Sequence, residues 1–231
     1  MKKHTLYTEL AYLIGLVLLA GGTALMTYGG FGISMVAAPG YVLYLKLSPI
    51  LPLFTFGTVG YLVEGLILAV MMLLIRKARF VYLLSFVTAV LYGFALDAIS
   101  LLTALLPADI LALQIPLSLC GMLCCSCGIG LLLLCYFPPA AHEMFVKEVC
   151  RHFGKPLGTV KTIYDCIFLA LSIGLSLLFF GNIQGIGIGT ILCTFVNGAC
   201  IRMFHGFWKN TFQFRDLLPL RSKFEESEES L

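Results

Sequence analysis

Six stretches of this chain, about residues 9–28, 52–75, 80–106, 111–137, 162–181 and 185–207, are each apolar for roughly the 20 residues that a helix needs to cross a bilayer. Nothing else in the sequence constrains the fold as strongly. Only 12% of the 231 residues are charged, about half of what the surface of a soluble domain carries. A water-soluble globular fold is therefore excluded. So is nucleic-acid binding as a main role, because a net charge of +3 leaves no basic face once this much chain is buried. The expected fold class is all-α, a polytopic membrane helix bundle of about six spans whose main surroundings are the lipid bilayer. Lys2 and Lys3 ahead of an apolar run imitate a signal peptide, but the run is too long and Glu9 interrupts its start, so it reads as an uncleaved helix. Eight of the nine cysteines sit inside apolar runs, where cysteine packs as a small hydrophobe, and no disulfide framework is implied.

Basic residues orient the spans. With the N-terminus in the cytoplasm, Lys2, Lys3, Arg76, Lys77, Arg79, Lys147, Arg151, Lys155, Lys161, Lys209, Arg215, Arg221 and Lys223 all fall inside. Arg202 lies near the inner end of the last span and can snorkel. Lys46 alone falls outside. Phe207, Trp208, Phe212 and Phe214, interleaved with Lys209 and Arg215, read as an interfacial segment, and the acidic end Glu225–Leu231 reads as a disordered cytoplasmic tail.

The chain also repeats itself. At an offset of 101 residues Gly57-Thr58-Val59 falls on Gly158-Thr159-Val160 and Glu64 on Asp165; Lys46, Tyr44 and Gly29 fall on Lys147, Phe145 and Gly130. Near the end of each half the register drifts by four, so that Gly93 and Asp97 match Gly198 and Arg202. The shared register, rather than any one match, carries the inference. Residues 1–107 and 108–206 are thus two three-span repeats, followed by a tail over 207–231. Three spans per unit force the second unit to enter the membrane from the opposite side, giving inverted repeats related by a pseudo-two-fold axis in the membrane plane. Each repeat has a short segment between its first two spans that is bracketed by Pro and Gly: around Pro39–Leu47 in the first, and Ala140–Phe153 in the second. The first is largely apolar and suits a re-entrant helix. The second is amphipathic and suits the cytoplasmic surface.

Ionisable residues within spans are costly and usually face a partner or a cavity. Glu64 lies about 12 residues into the second stretch, roughly 18 Å at 1.5 Å per residue, near the bilayer centre. Gly57, Gly60 and Glu64 share a helix face, which leaves a groove of missing side chains beside the carboxylate. Asp165 is its repeat mate, with Tyr61 and Tyr164 adjacent to the two acids. The functional reading is a common cavity holding a proton or a cation. A local Lys161–Asp165 salt bridge and a neutral, hydrogen-bonded Glu64 are the bland alternatives. Asp97 suits an outer vestibule or the headgroup zone, and no Asp97–Arg202 ion pair is expected because the two fall on opposite sides. Asn197 suits an interhelical hydrogen bond of about 0.6 kcal/mol.

Gly185-Ile186-Gly187-Ile188-Gly189-Thr190 imitates a dinucleotide loop, but no strand precedes it and no acid follows at the right distance. It reads instead as a helix start packed closely on a neighbour, with Gly187, Gly189 and Thr190 offering amides to a ligand as the sharper alternative. Cys120, Cys124 and Cys127 stripe the fourth span; small residues at that spacing mean packing more often than a soft-metal site. His142 and Glu143 open the second connector, where an acid in the first turn is ordinary dipole matching. No nucleophile stands at recognisable spacing from a base, so no enzyme, cofactor or metal is expected.

The Phe56-Gly57-Thr58 start of span two, Gly93 with Asp97 in span three, the Gly187-Ile188-Gly189-Thr190 start of the last span and the connectors around Pro39 and Pro139 resemble the YitT/YczE-type group of bacterial integral membrane proteins over about residues 8–205. Similar proteins often carry an acid after the first connector's proline, where this chain has Gly40 and Tyr41. The resemblance implies a bacterial plasma-membrane protein of about six spans and no settled substrate; the basic residues put both termini in the cytoplasm. The leading functional expectation is a proton-coupled secondary transporter whose partners are a small-molecule solute and a proton, with a homo-oligomer left open. The alternative is a non-transporting regulator or assembly partner.

Overall fold

A computed structural model describes residues 4–76, 79–106, 111–155 and 157–217; Lys2, Lys3, Lys77, Arg221, Lys223 and the acidic end lie outside the described residues. The chain runs β1 (His4–Tyr7), α1 (Thr8–Gly29), α2 (Ala38–Leu47), α3 (Phe56–Ile75), α4 (Phe80–Thr103), α5 (Leu111–Leu132), α6 (Ala141–Phe153), α7 (Leu157–Phe180), α8 (Ile188–Thr211) and β2 (Phe212–Arg215). It is a polytopic membrane helix bundle. α1, α3, α4, α5 and α7 are each long and apolar enough to cross a membrane. α8 makes a sixth span when its two arms, bent by 52° between Thr194 and Val196, count as one.

α1 and α5 form the central pair, and glycine sets their contact. A Cβ on Gly22 would stand 2.5 Å from the Gly121 carbonyl oxygen; one on Gly15 would stand 3.1 Å from that of Gly128, and one on Gly29 2.7 Å from that of Gln114. Numbers rising on α1 meet numbers falling on α5, so the two helices are antiparallel. Apolar side chains gain little by leaving lipid for one another, so helices in a membrane associate where small residues let backbones approach. Around this pair the packing is reciprocal. α1 packs on α4 as α5 packs on α8, and α2 packs on α7 as α6 packs on α3. That is the order a two-fold relation between α1–α4 and α5–α8 produces. One pairing breaks it: α3 packs along α4, but among the described residues α7 and α8 scarcely touch, and Gly198, the counterpart of Gly93, faces open space.

The second connector differs from the expected surface helix. Cys135 and Tyr136 lie beside Thr8 and Glu9 at the end of the bundle where α1 begins. The chain then descends: Pro138 and Pro139 reach Thr88 and Ser85 of α4, and Ala141 reaches Glu64 of α3. α6 climbs back until Glu148 meets Arg79 at the same end. Its 13 residues span about 20 Å, too little to cross. Segment 133–153 is therefore a half-depth hairpin, with Ala141, Met144 and Val146 buried among Ile67, Met71, Tyr82 and Phe168. Apolar packing of the face carrying these residues outweighs the surface preference that α6's amphipathic pattern suggests. α2 enters in the same fashion from the opposite end: Gly40 approaches Gly60 of α3, and Lys46 sits 5.9 Å from the Phe179 ring near the end of α7.

The tail also departs from expectation. α8 continues to Thr211, and β2 pairs in parallel with β1, His4 opposite Phe212 and Tyr7 opposite Arg215. The Thr8 hydroxyl donates to Asp216 at 2.6 Å, and the Leu217 amide donates to the Glu9 carboxylate. Segments 208 residues apart are thereby tied at the mouth of the α6 hairpin, the terminal end of the bundle.

Because the α1–α5 backbones touch at Gly22, Gly22→Leu is expected to destabilise the bundle by at least the roughly 1–3 kcal/mol typical of overpacking. Thermal unfolding in detergent reads this; an unchanged transition would show that the two helices can separate freely.

Candidate functional site

Glu64 sits eight residues into α3, about 12 Å from its Phe56 end and 16 Å from Ile75. Its side chain is 4% exposed. Its Oε2 accepts the Ala141 amide at 3.2 Å, so a carboxylate from the first half caps the N-terminus of a half-depth helix from the second. The first-turn amides of a helix have no intrahelical partner and carry the positive end of its dipole. The backbone just before them is irregular, and at this depth it needs internal partners. The Ser85 hydroxyl donates to the Pro139 carbonyl at 2.8 Å, and Thr88, itself the acceptor of the Tyr12 hydroxyl, shares its hydrogen between the Leu84 carbonyl at 3.2 Å and that of Pro138 at 3.3 Å. The two prolines bring no N–H that would need an acceptor.

Around this cap the connector and α7 contribute a polar cluster. His142 Nδ1 and the Tyr164 hydroxyl lie 2.6 Å apart. Tyr164 stacks on Phe168 with centroids 4.4 Å apart, and Phe145 lies 5.2 Å from Tyr164. Asp165, beside Tyr164 on α7, holds the Lys161 ammonium at 3.0 Å. Glu143 in the first turn of α6 completes the group. α6 does not cross the bundle, and its ionisable groups respond to burial in opposite senses. Burial, reinforced by the Lys161 charge, pushes the His142 imidazole down to about 3 and keeps it neutral. Burial pushes the Glu143 carboxyl up while Lys161 opposes the shift. Among the described residues, no three His, Cys, Asp or Glu side chains are grouped so as to hold a metal ion.

The residues singled out in the sequence separate into two sets. Glu64, Asp165 and Tyr164 belong to one neighbourhood, joined by His142, Glu143 and Lys161. The local Lys161–Asp165 pair is present, and the groove beside Glu64 is half filled: Gly57 lies directly against the Gly93 backbone of α4, whereas a Cβ on Gly60 would meet nothing within 4 Å. Tyr61 turns away, its ring edge-on to Phe86 of α4. Asp97 is neither in a vestibule nor free. It accepts the Thr55 hydroxyl at 2.5 Å and the Gly57 amide at 2.7 Å, and so caps the N-terminus of α3 with Thr55. Asn197 accepts the Ser126 hydroxyl at 2.7 Å, the expected link between α8 and α5. The amides of the glycine run are taken: Gly189 donates to the Phe31 carbonyl at 2.8 Å and Gly187 to the Thr190 hydroxyl at 3.3 Å. A Cβ at Gly187 or Gly189 would strike the Phe31 oxygen, which makes close packing the role of this stretch. A small apolar cleft between Met26, Phe31, Ser118, Met122 and Leu192 opens beside it, away from Glu64.

His142 and Glu143 enter the cluster although helix-dipole matching accounts for an acid there. The signal available in the sequence was the Pro138-Pro139 pair just ahead of them, which marks irregular backbone in need of partners. The α1–α5 contact was also legible, in the seven-residue spacing of Gly15, Gly22 and Gly29 and of Gly121 and Gly128.

Two outcomes follow from these contacts. Asp97→Ala removes a cap with two bonds and is expected to cost about 1–2 kcal/mol of stability; a thermal midpoint equal to the parent's would show that Thr55 suffices alone. His142 has a folded-state value near 3 against an ordinary 6.5, so the unfolded chain takes up the proton first. Stability associated with this residue is complete above about pH 6.5 and declines as the pH falls toward 3. His142→Gln should flatten that part of the stability–pH curve, and an identical curve would place the imidazole in water.

A family model described as a family of unknown function, DUF6198, matches residues 6–206. No curated protein and no solved structure matches the chain.

Proposed function

The chain belongs to this family of unknown function, DUF6198, and we propose that it is a secondary transporter of a small solute, proton-coupled through Glu64. The observation that carries the reading is one bond between the halves: a carboxylate near mid-depth of α3 closes on the N-terminus of α6. Half-depth helices entering from opposite ends, around an antiparallel central pair, suit a site that opens alternately to the two sides. Withdrawing α6 would open Glu64 toward the terminal end, and withdrawing α2 from Gly60 would open it toward the other. A protonated Glu64 no longer attracts the α6 dipole as a carboxylate does, so proton binding would loosen the closed state.

In this proposal the terminal end faces the cytoplasm of a bacterial cell, since all the basic residues except Lys46 then lie on the inner side. The YitT/YczE-type resemblance of the span starts supports the same placement in a plasma membrane. Glu64, Asp165 and Tyr164 form the core of the proposed site. Tyr61, Asp97, Asn197, Gly187, Gly189 and Thr190 are assigned to packing and capping.

The near-complete burial of Glu64 favours a second reading, a non-transporting regulator or assembly partner working through α6 and the paired β1 and β2 segments. Reconstitution separates them. Liposomes containing the protein and a trapped pH dye are exposed to a panel of small metabolites. Transport predicts solute-dependent proton movement that falls at least about tenfold in Glu64→Gln, a change expected for loss of one essential proton-binding group, while the mutant stays folded. Undiminished flux in that mutant removes Glu64 from the mechanism, and no solute-linked proton movement from any compound favours the regulator.

A further inference from the structure

The Lys161 side chain occupies its surroundings as a ligand would. Its ammonium lies 3.0 Å from Asp165 Oδ1 and 5.6 Å from the centroid of the Tyr164 ring. A carboxylate on one side and an aromatic face on the other is the arrangement that recognises ammonium groups. The box is stiff. Tyr164 is pinned by its 2.6 Å bond to His142, by stacking on Phe168 and by the Phe145 ring 5.2 Å away. A surface ion pair would have none of this support. Lys161 also acts on Glu143, so two carboxyl groups, Asp165 and Glu143, stand beside one ammonium. Lys161 stands about one turn inside the terminal end of α7, with 35% of its side chain exposed, whereas 11% of the Asp165 side chain is exposed. It is the outermost member of the cluster and the one free to swing out.

We infer that Asp165 and Tyr164, with Glu143 nearby, form a binding site for a small primary ammonium, and that Lys161 is its resident, tethered occupant. An amine-bearing solute entering from the terminal end displaces Lys161, takes the bond to Asp165 and lies over Tyr164. This deepens the transport reading by naming the class of solute, and it rests on that reading for its biological meaning though not for its test.

The test empties the box by design. Lys161→Ala removes three methylenes and the nitrogen, the size of n-propylammonium. Lys161→Met keeps the stem and removes only the head, the size of ammonium ion, and carries the test if the alanine variant does not fold. Each purified variant is melted with its matching cation and, as controls, with sodium and tetramethylammonium at equal ionic strength. A cation present at about ten times its dissociation constant is expected to raise Tm by about 3–5 °C. The unsubstituted protein, already occupied, shows no such rise, and adding Asp165→Asn abolishes it. Equal responses to sodium or tetramethylammonium, or a response that survives Asp165→Asn, would overturn the site, as would no response from a folded variant. Repeating the titration with Glu64→Gln added separates the two proposals: rescue that persists where flux is lost upholds both, and flux without rescue sinks the ammonium site alone.

Discussion

Peptide groups left unmet in hydrocarbon cost several kcal/mol each, and the second half of this protein sends an irregular stretch of chain to half depth. What makes that stretch tenable is a small set of side chains from the first half. Ser85 and Thr88 supply hydrogens to the carbonyls of Pro139 and Pro138, and Glu64 accepts the amide of Ala141. Remove those three and α6 would have reason to leave the bundle for the surface. The residue at the centre of the proposed site is thus also part of what keeps the connector inside, so any event that neutralises Glu64 acts directly on the bond that holds the start of α6.

The frame around this contact is rigid for a different reason. α1 and α5 meet through glycine, each backbone carbonyl lying where a Cβ on the facing glycine would stand, and the other helices are arranged about them in reciprocal fashion. The exception is informative. Gly57 and Gly93 bring α3 and α4 together, and Asp97 caps α3 across that contact. In the second half Arg202 stands where Asp97 would, and a cation has no bond to offer the N-terminal amides of α7. The two halves therefore differ at the helix pair that flanks Asp165, and the Lys161–Asp165 box lies beside the looser of the two.

Individual residues show how far the sequence could be read. Glu64 announces itself because a lone acid in an apolar run has few explanations, and the Lys161–Asp165 pair because helical spacing of four places the two side chains together. Asn197 and the Gly187–Thr190 stretch are similar: local spacing on one helix implies a neighbour close by. Asp97 was harder. Its depth is visible, but its partners Thr55 and Gly57 are some 40 residues away and are met only once α3 and α4 pack. His142 illustrates the same limit, because its role depends on Tyr164 across an interface that no local pattern encodes.

The sequence by itself determined the apolar segments, the place of Glu64 within one of them and the pairs within single helices, because each follows from periodicity along one chain. Tertiary structure alone decided that α6 turns back at half depth, that Asp97 caps rather than binds, that the termini pair as strands, and that α7 and α8 stand apart. Those outcomes depend on which surfaces remain after the helices have packed, and in a membrane, where apolar faces are nearly interchangeable, only the polar groups needing partners and the small residues permitting approach select among them.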